Sequence, residues 1–252
     1  MRNRPGQILL IVVMLLATVM TIVLSISFKS MTDTQITKLE EESQKALAAA
    51  ESAIDAALKD NNTVTLGTGT LTSITGFSGT ATIESLTAPS FTTSSIPKDG
   101  SYTFYLGNYD LAAKTIGSST AQDVTVCFET GTTKPALEIT LIKSNGIKKY
   151  LVDPSSRISN ASTGSPCSPD TVNYSYSTTI PSADIGTTSQ FLFVRVFYAP
   201  TKLFFSASAN LPIQGRTITS QATSSTSTGV SKKVILFQSY PQIPGEFFST
   251  SF

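Results

Sequence analysis

The stretch QILLIVVMLLATVMTIVLSISFKSMTDTQITKLEEESQKALAAAESAIDAALK, Gln7 to Lys59, decides the architecture. Its first part, Ile8 to Phe28, is apolar apart from Thr18, Thr21, Ser25 and Ser27, and holds no proline, glycine or charge. At a rise of about 1.5 Å per residue, this run makes roughly 31 Å of helix, enough to cross the hydrocarbon core of a bilayer. The second part continues without a breaker but changes character. Apolar residues recur at Ile36, Leu39, Leu47, Ala50, Ile54 and Ala57, close to the helical period. Lys38 with Glu42, Glu41 with Lys45, and Asp55 with Lys59 are opposite charges one helical turn apart. The pattern predicts one continuous helix over 7–59, with a transmembrane half (8–28) and an amphipathic half (29–59).

The residues before the helix orient it. Arg2 and Arg4 precede the apolar run, and no acidic residue occurs before Asp33. Positive flanks stay cytoplasmic, so the N-terminus is expected inside and the rest of the chain outside a single-pass cytoplasmic-membrane span. A secretory signal has a shorter apolar core, about 7–15 residues, followed by a cut. This segment is longer and is expected to be retained.

A short basic leader ending in glycine, then an apolar helix, then an alanine-rich amphipathic helix resembles the N-terminal region of type IV pilins and pseudopilins. Arg4-Pro5-Gly6-Gln7-Ile8-Leu9-Leu10 resembles their class III leader junction. Glu40 to Leu58, EEESQKALAAAESAIDAAL, is most similar to the alanine-rich run with a glutamate found in PilX-type minor pilins. The resemblance covers about the first quarter of the chain and, more faintly, about its last 60 residues. It implies a leader over 1–6 removed by prepilin peptidase, with cleavage after Gly6 and N-methylation of Gln7. It also implies partners, namely other pilin subunits reached through the helix. Major pilins carry a glutamate five residues into the mature chain, and Ile11 stands there in this sequence. That departure implies a minor subunit, at the tip or modulating assembly, first held in the cytoplasmic membrane and then at the cell surface or in the pilus. The competing reading is a membrane-anchored adhesin or binding module with an uncleaved signal-anchor helix.

Beyond the helix, Asp60-Asn61-Asn62 is a stop, because asparagine tolerates the left-handed cap. Residues 60–100 are rich in Thr, Ser and Gly with isolated apolar residues such as Val64, Leu66, Leu71, Phe77, Ile83 and Leu86. They read either as weakly specified strands or as a neck. From 101 to 252 the chain reads as an extracytoplasmic β domain. Strands are expected at Tyr102–Leu106, Val124–Phe128, Phe191–Tyr198, Leu203–Ala207, Thr217–Ala222 and Lys233–Gln238. Leu137–Ile142 and Ile147–Val152 flank Ser144-Asn145-Gly146, and Asn-Gly between two such runs is a strong hairpin signal. Pro154–Thr171 reads as a loop and Thr223–Gly229 as a Ser/Thr tip. Tyr240-Pro241-Gln242-Ile243-Pro244 cannot pair as a central strand. The expected fold class is α+β: a long N-terminal helix followed by a mainly antiparallel β head.

The chemistry of the head points away from catalysis. The chain has no histidine, which removes the commonest general base and metal ligand. It contains no nucleotide-binding glycine motif and no EF-hand spacing. Carboxylates at Glu84, Asp99, Asp110, Asp123, Glu129, Glu138, Asp153, Asp170, Asp184 and Glu246 are scattered and read as solvated. No enzyme activity, cofactor, metal or small-molecule substrate is expected. A net charge of +1 gives no field for nucleic acid. Lys148-Lys149 and Lys232-Lys233 are expected on wet faces or edge strands. Asn61, Asn160 and Asn173 fit the N-x-[ST] pattern, which says little outside a glycosylating host. Two cysteines outside the cytoplasm favour one disulfide, Cys127–Cys167, pinning the Pro-rich loop to a strand, against two free thiols.

Overall fold

The computed structural model describes residues 5–85, 87–129, 131–168, 170, 172–225 and 229–245, with side chains from Leu9 onward. Residues 1–4 of the expected leader, Leu86, Pro169, Thr171, part of the Ser/Thr tip (226–228) and Glu246 with the residues after it lie outside the described residues. α1 (Pro5–Asp60) is one unbroken helix of 56 residues. Proline suits its first turn, where no backbone N–H is needed. Asn61 ends the helix with φ 50°, the left-handed cap expected of asparagine.

Then come β1 (Val64–Thr65), a 3-10 turn at Gly69–Leu71, β2 (Phe77–Glu84), β3 (Ala88–Thr92), β4 (Ser101–Tyr105), β5 (Tyr109–Asp110), β6 (Thr115–Ile116) and β7 (Val124–Phe128). β8 (Ala136–Lys143), β9 (Gly146–Val152), β10 (Tyr176–Ile180), the single turn α2 (Ser182–Ile185), β11 (Ser189–Phe197), β12 (Leu203–Leu211), β13 (Gly215–Ser224) and β14 (Ser231–Ser239) complete it. The architecture is α+β, a long apolar N-terminal helix followed by antiparallel sheets. The stretch 60–100 holds three strands. α2, which no sequence period announces, fits between Pro181 and Gly186. The chain divides into two compact units, Met1–Ile83 with Ile218–Leu236, and Glu84–Thr217 with Phe237–Phe252.

In the first unit, α1 is accompanied by strands hydrogen-bonded in the order β1-β2-β13-β14. The buried stripe of the helix is Ala46, Ala49, Ala50, Ala53, Ile54 and Ala57. Of these, Ala49, Ala50, Ala53, Ile54 and Ala57 pack with Leu66, Leu71, Ala81, Ile218 and Ala222. Ile36, Leu39 and Leu47, expected on that face, are at least 40% exposed. Helical period alone cannot rank neighbouring stripes, and alanine wins here because its short side chain lets the strands approach the helix. Close approach recurs between the strands: a Cβ on Gly79 would lie 1.9 Å from the Gln221 carbonyl oxygen, so only glycine fits. Of the three expected charge pairs on α1, Glu41–Lys45 closes at 2.6 Å.

The second unit holds two four-stranded antiparallel sheets, ordered β10-β7-β12-β3 and β4-β11-β8-β9, and the small ribbon β5-β6. One core serves both sheets. It includes Val126 and Phe128 of β7, Leu203 and Phe205 of β12, Phe104 of β4, Leu137, Ile139 and Leu141 of β8, and Leu192, Val194 and Val196 of β11. Phe104 and Phe205 stack at its centre with ring centroids 4.0 Å apart. Asn145-Gly146 turns the β8–β9 hairpin, whose register runs from Leu137↔Val152 to Lys143↔Gly146.

β4 is an edge strand, and its free side is covered by side chains instead of another strand. Tyr105 N–H donates to Gln214 Oε1 at 2.8 Å, and Gln214 Nε2 donates back to the Tyr105 carbonyl at 2.8 Å. Two residues along, Thr103 N–H donates to Gln242 Oε1 at 2.7 Å, and Ile243 N–H donates to Thr103 Oγ1 at 3.0 Å. The closing segment Tyr240–Pro244 thus runs beside the sheet without joining its ladder, as its two prolines require. A covered edge cannot recruit a foreign strand.

Candidate functional site

The apolar half of α1 carries a long run of exposed large hydrophobic side chains. From Leu9 to Phe28 every large apolar side chain is about half exposed or more: Leu10 61%, Ile11 61%, Leu16 64%, Met20 66%, Phe28 67%. No water-facing protein keeps such a surface bare, so it requires lipid or other protein around it. The helix is long and apolar enough to cross a membrane. Ile11 lies on this surface as one apolar side chain among many. Gly6 and Gln7 fall in the first two turns of α1, and their side chains are outside the described residues.

The cysteines are joined. Cys127 and Cys167 form a disulfide with Cα atoms 5.6 Å apart, and both are fully buried. β7, which carries Cys127, lies between β10 and β12, where Cys127 faces Ser177 and Phe204. Tyr174 and Phe204 stack at 5.2 Å within the apolar cluster around the bridge. Ser165 and Ser177 exchange backbone hydrogen bonds at 2.9 and 2.6 Å, so the loop is fastened at Cys167 and again two residues earlier.

The carboxylates mostly serve local structure. Asp110 accepts the N–H groups of Ala112 and Ala113, and Asp170 those of Val172 and Asn173. Asp123 accepts the Ser182 N–H at 2.6 Å, which holds its carboxyl below the ordinary range. Asp184 takes Lys148 Nζ and Tyr150 Oη, each at 2.6 Å. The lysine ammonium and then the phenol lower the Asp184 carboxyl. Desolvation, followed by that carboxylate, raises the Tyr150 phenol.

Two carboxylates depart from the solvated reading. Glu138 is buried on β8 and accepts Lys149 Nζ at 2.9 Å, while its Oε2 is buried without a partner. Asp153 is fully buried and is held by Arg157 through Nε and Nη2, and by the N–H groups of Ser155, Arg157 and Ile158. Burial pushes the Asp153 carboxyl up, but those hydrogen bonds outweigh it and bring it down to about 2. Lys148-Lys149 lies on edge strand β9 and Lys232-Lys233 on edge strand β14. Among the described residues no three metal-ligating side chains converge.

Among the described residues these carboxylates are engaged by backbone N–H groups and by lysine, arginine, asparagine and tyrosine side chains in local structure. The chain presents an apolar helix, a face of alanines fastened to strands, and a β head closed by one disulfide. Compared with family models, with curated proteins and with solved structures, the chain matches none.

Proposed function

We propose that this chain is a minor subunit of a type IV pilus or related pseudopilus, acting at the tip or modulating assembly. The observation that carries the reading is the single helix Pro5–Asp60, bare and apolar in its first half and fastened through Ala46–Ala57 in its second. Such a helix can rest in the cytoplasmic membrane with the N-terminus inside. It can then exchange lipid for the helices of neighbouring subunits without refolding, because its backbone hydrogen bonds are satisfied internally. The leader junction at Gly6-Gln7 supports processing by prepilin peptidase. Ile11 supports a place outside the repeating fibre, since it offers no carboxylate to pair with a neighbouring amine. The function is structural, and no catalytic step is assigned.

The deciding measurement is the mass of the N-terminal peptide of protein isolated from its native membrane. A chain beginning at N-methylated Gln7 is the expected result. An intact Met1, or an unmodified Gln7, would replace the pilin reading with that of an anchored adhesin or binding module.

A further inference from the structure

The backbone at Tyr198, just past the end of β11, is strained. Its φ is +71°, and Ala199 N–H donates to the Phe197 carbonyl at 2.9 Å across it. That combination is a γ-turn of the rare positive-φ kind, disfavoured for a bulky residue and easy for glycine. The turn holds the tyrosine ring at the surface, 42% exposed. The Arg157 guanidinium lies over that ring, 3.8 Å from its centroid. Arg157 is itself fixed by the buried Asp153 and by the Lys134 carbonyl, while its Nη1 makes no hydrogen bond among the described residues. Leu151, Ile158, Phe197, Tyr198, Arg157 and Ser159 line a cavity of about 350 Å³ at this point. Strain retained at a preformed pocket with one oriented donor is what a binding site requires.

We infer that this pocket binds a neutral, ring-shaped ligand with a carbonyl at its edge, and that the class is an N-acetylated hexosamine. The lining sets each part of this choice. The guanidinium charge is offset by the Asp153 carboxylate 2.7 Å away, so a carbonyl suits the site better than a second anion. An acetamido oxygen would accept one of the Nη1 hydrogens, and its methyl would sit against Leu151 and Ile158. The C–H face of the pyranose would lie against the part of the Tyr198 ring that the Arg157 guanidinium leaves exposed. The Ser159 hydroxyl is a second donor or acceptor at the rim. This site is independent of the helix and of the assembly role proposed above.

The test is saturation-transfer NMR on the full chain in a sugar-free detergent such as lauryldimethylamine oxide, with triacetylchitotriose as probe and cellotriose as control. Saturation is expected on the acetamido methyl of triacetylchitotriose and not on cellotriose. Tyr198→Gly relieves the γ-turn, so it should keep the fold and the disulfide yet weaken binding by about tenfold or more. Arg157→Lys, which keeps the charge but not the fork, should weaken it similarly. Absence of transfer, equal transfer to cellotriose, or binding untouched by Tyr198→Gly would each overturn the inference. Displacement of the sugar by an equal concentration of hexaproline peptide would overturn it too, in favour of a polyproline groove.

Discussion

The side-chain amide of Gln214 grips both main-chain groups of Tyr105, with N–H to Oε1 and Nε2–H to carbonyl each at 2.8 Å, so one residue stands in for a neighbouring strand. The Tyr105 phenol, raised by burial, adds a hydrogen bond to the Pro241 carbonyl at 2.6 Å. Gln214→Ala would leave a buried donor and a buried acceptor on β4 unpaired. The expected loss is about 2–4 kcal/mol, read as a lower urea midpoint. Gln214→Glu should be no better, because it keeps an acceptor for the Tyr105 N–H but sets an oxygen against the carbonyl. A variant as stable as the parent would show that water satisfies this edge.

Removing the Cys127–Cys167 bridge should cost roughly 4 kcal/mol by loop entropy, given the 40-residue separation. The double variant Cys127→Ala, Cys167→Ala and the reduced parent should shift the unfolding midpoint alike. An unshifted midpoint in both would mean that the Ser165–Ser177 pairing alone secures the loop.

Asp153 sets an acid limit. Its folded carboxyl titrates at about 2, below the ordinary 3.8, so its contribution to stability is complete above about pH 4. That contribution is lost as pH falls from about 4 to 2, and amounts to about 2 kcal/mol. Asp153→Asn should cost this much at pH 7 and should flatten the stability profile over that window. Unfolding curves of parent and variant at a series of pH values test both claims.

Ala53 is fully buried in the helix stripe that faces the strands. Ala53→Leu should overfill that contact and destabilise the first unit by about 1–3 kcal/mol. The same change at Ala48, which is exposed, should be neutral. Thermal unfolding followed by circular dichroism separates the two cases.

Gly6→Val tests the leader junction. Co-expression with a prepilin peptidase should convert the parent to a shorter chain and leave the variant at full length on a gel. Equal processing of both would remove the main support for cleavage at this site.

Much of this architecture was legible in local sequence, because it depends on neighbours along the chain. The uninterrupted apolar run sets a helix, Asn61 stops it, and Asn145-Gly146 turns a hairpin through the backbone freedom those residues allow. The disulfide followed from two cysteines and a compartment. Other features depended on residues distant in sequence meeting in space. Leu47 and Ala50 both fit a helical period, and only the approach of the strands buries Ala50 and leaves Leu47 40% exposed. Asp153 looks like any loop carboxylate until Arg157 and three backbone N–H groups close around it. Gln214 reads as a surface glutamine, yet it completes an edge 109 residues away. Tyr198 reads as the end of a strand, and only the folded chain shows the γ-turn that sets its ring over Arg157. Periodicity and turn chemistry act over a few residues, whereas burial and edge pairing are settled by packing.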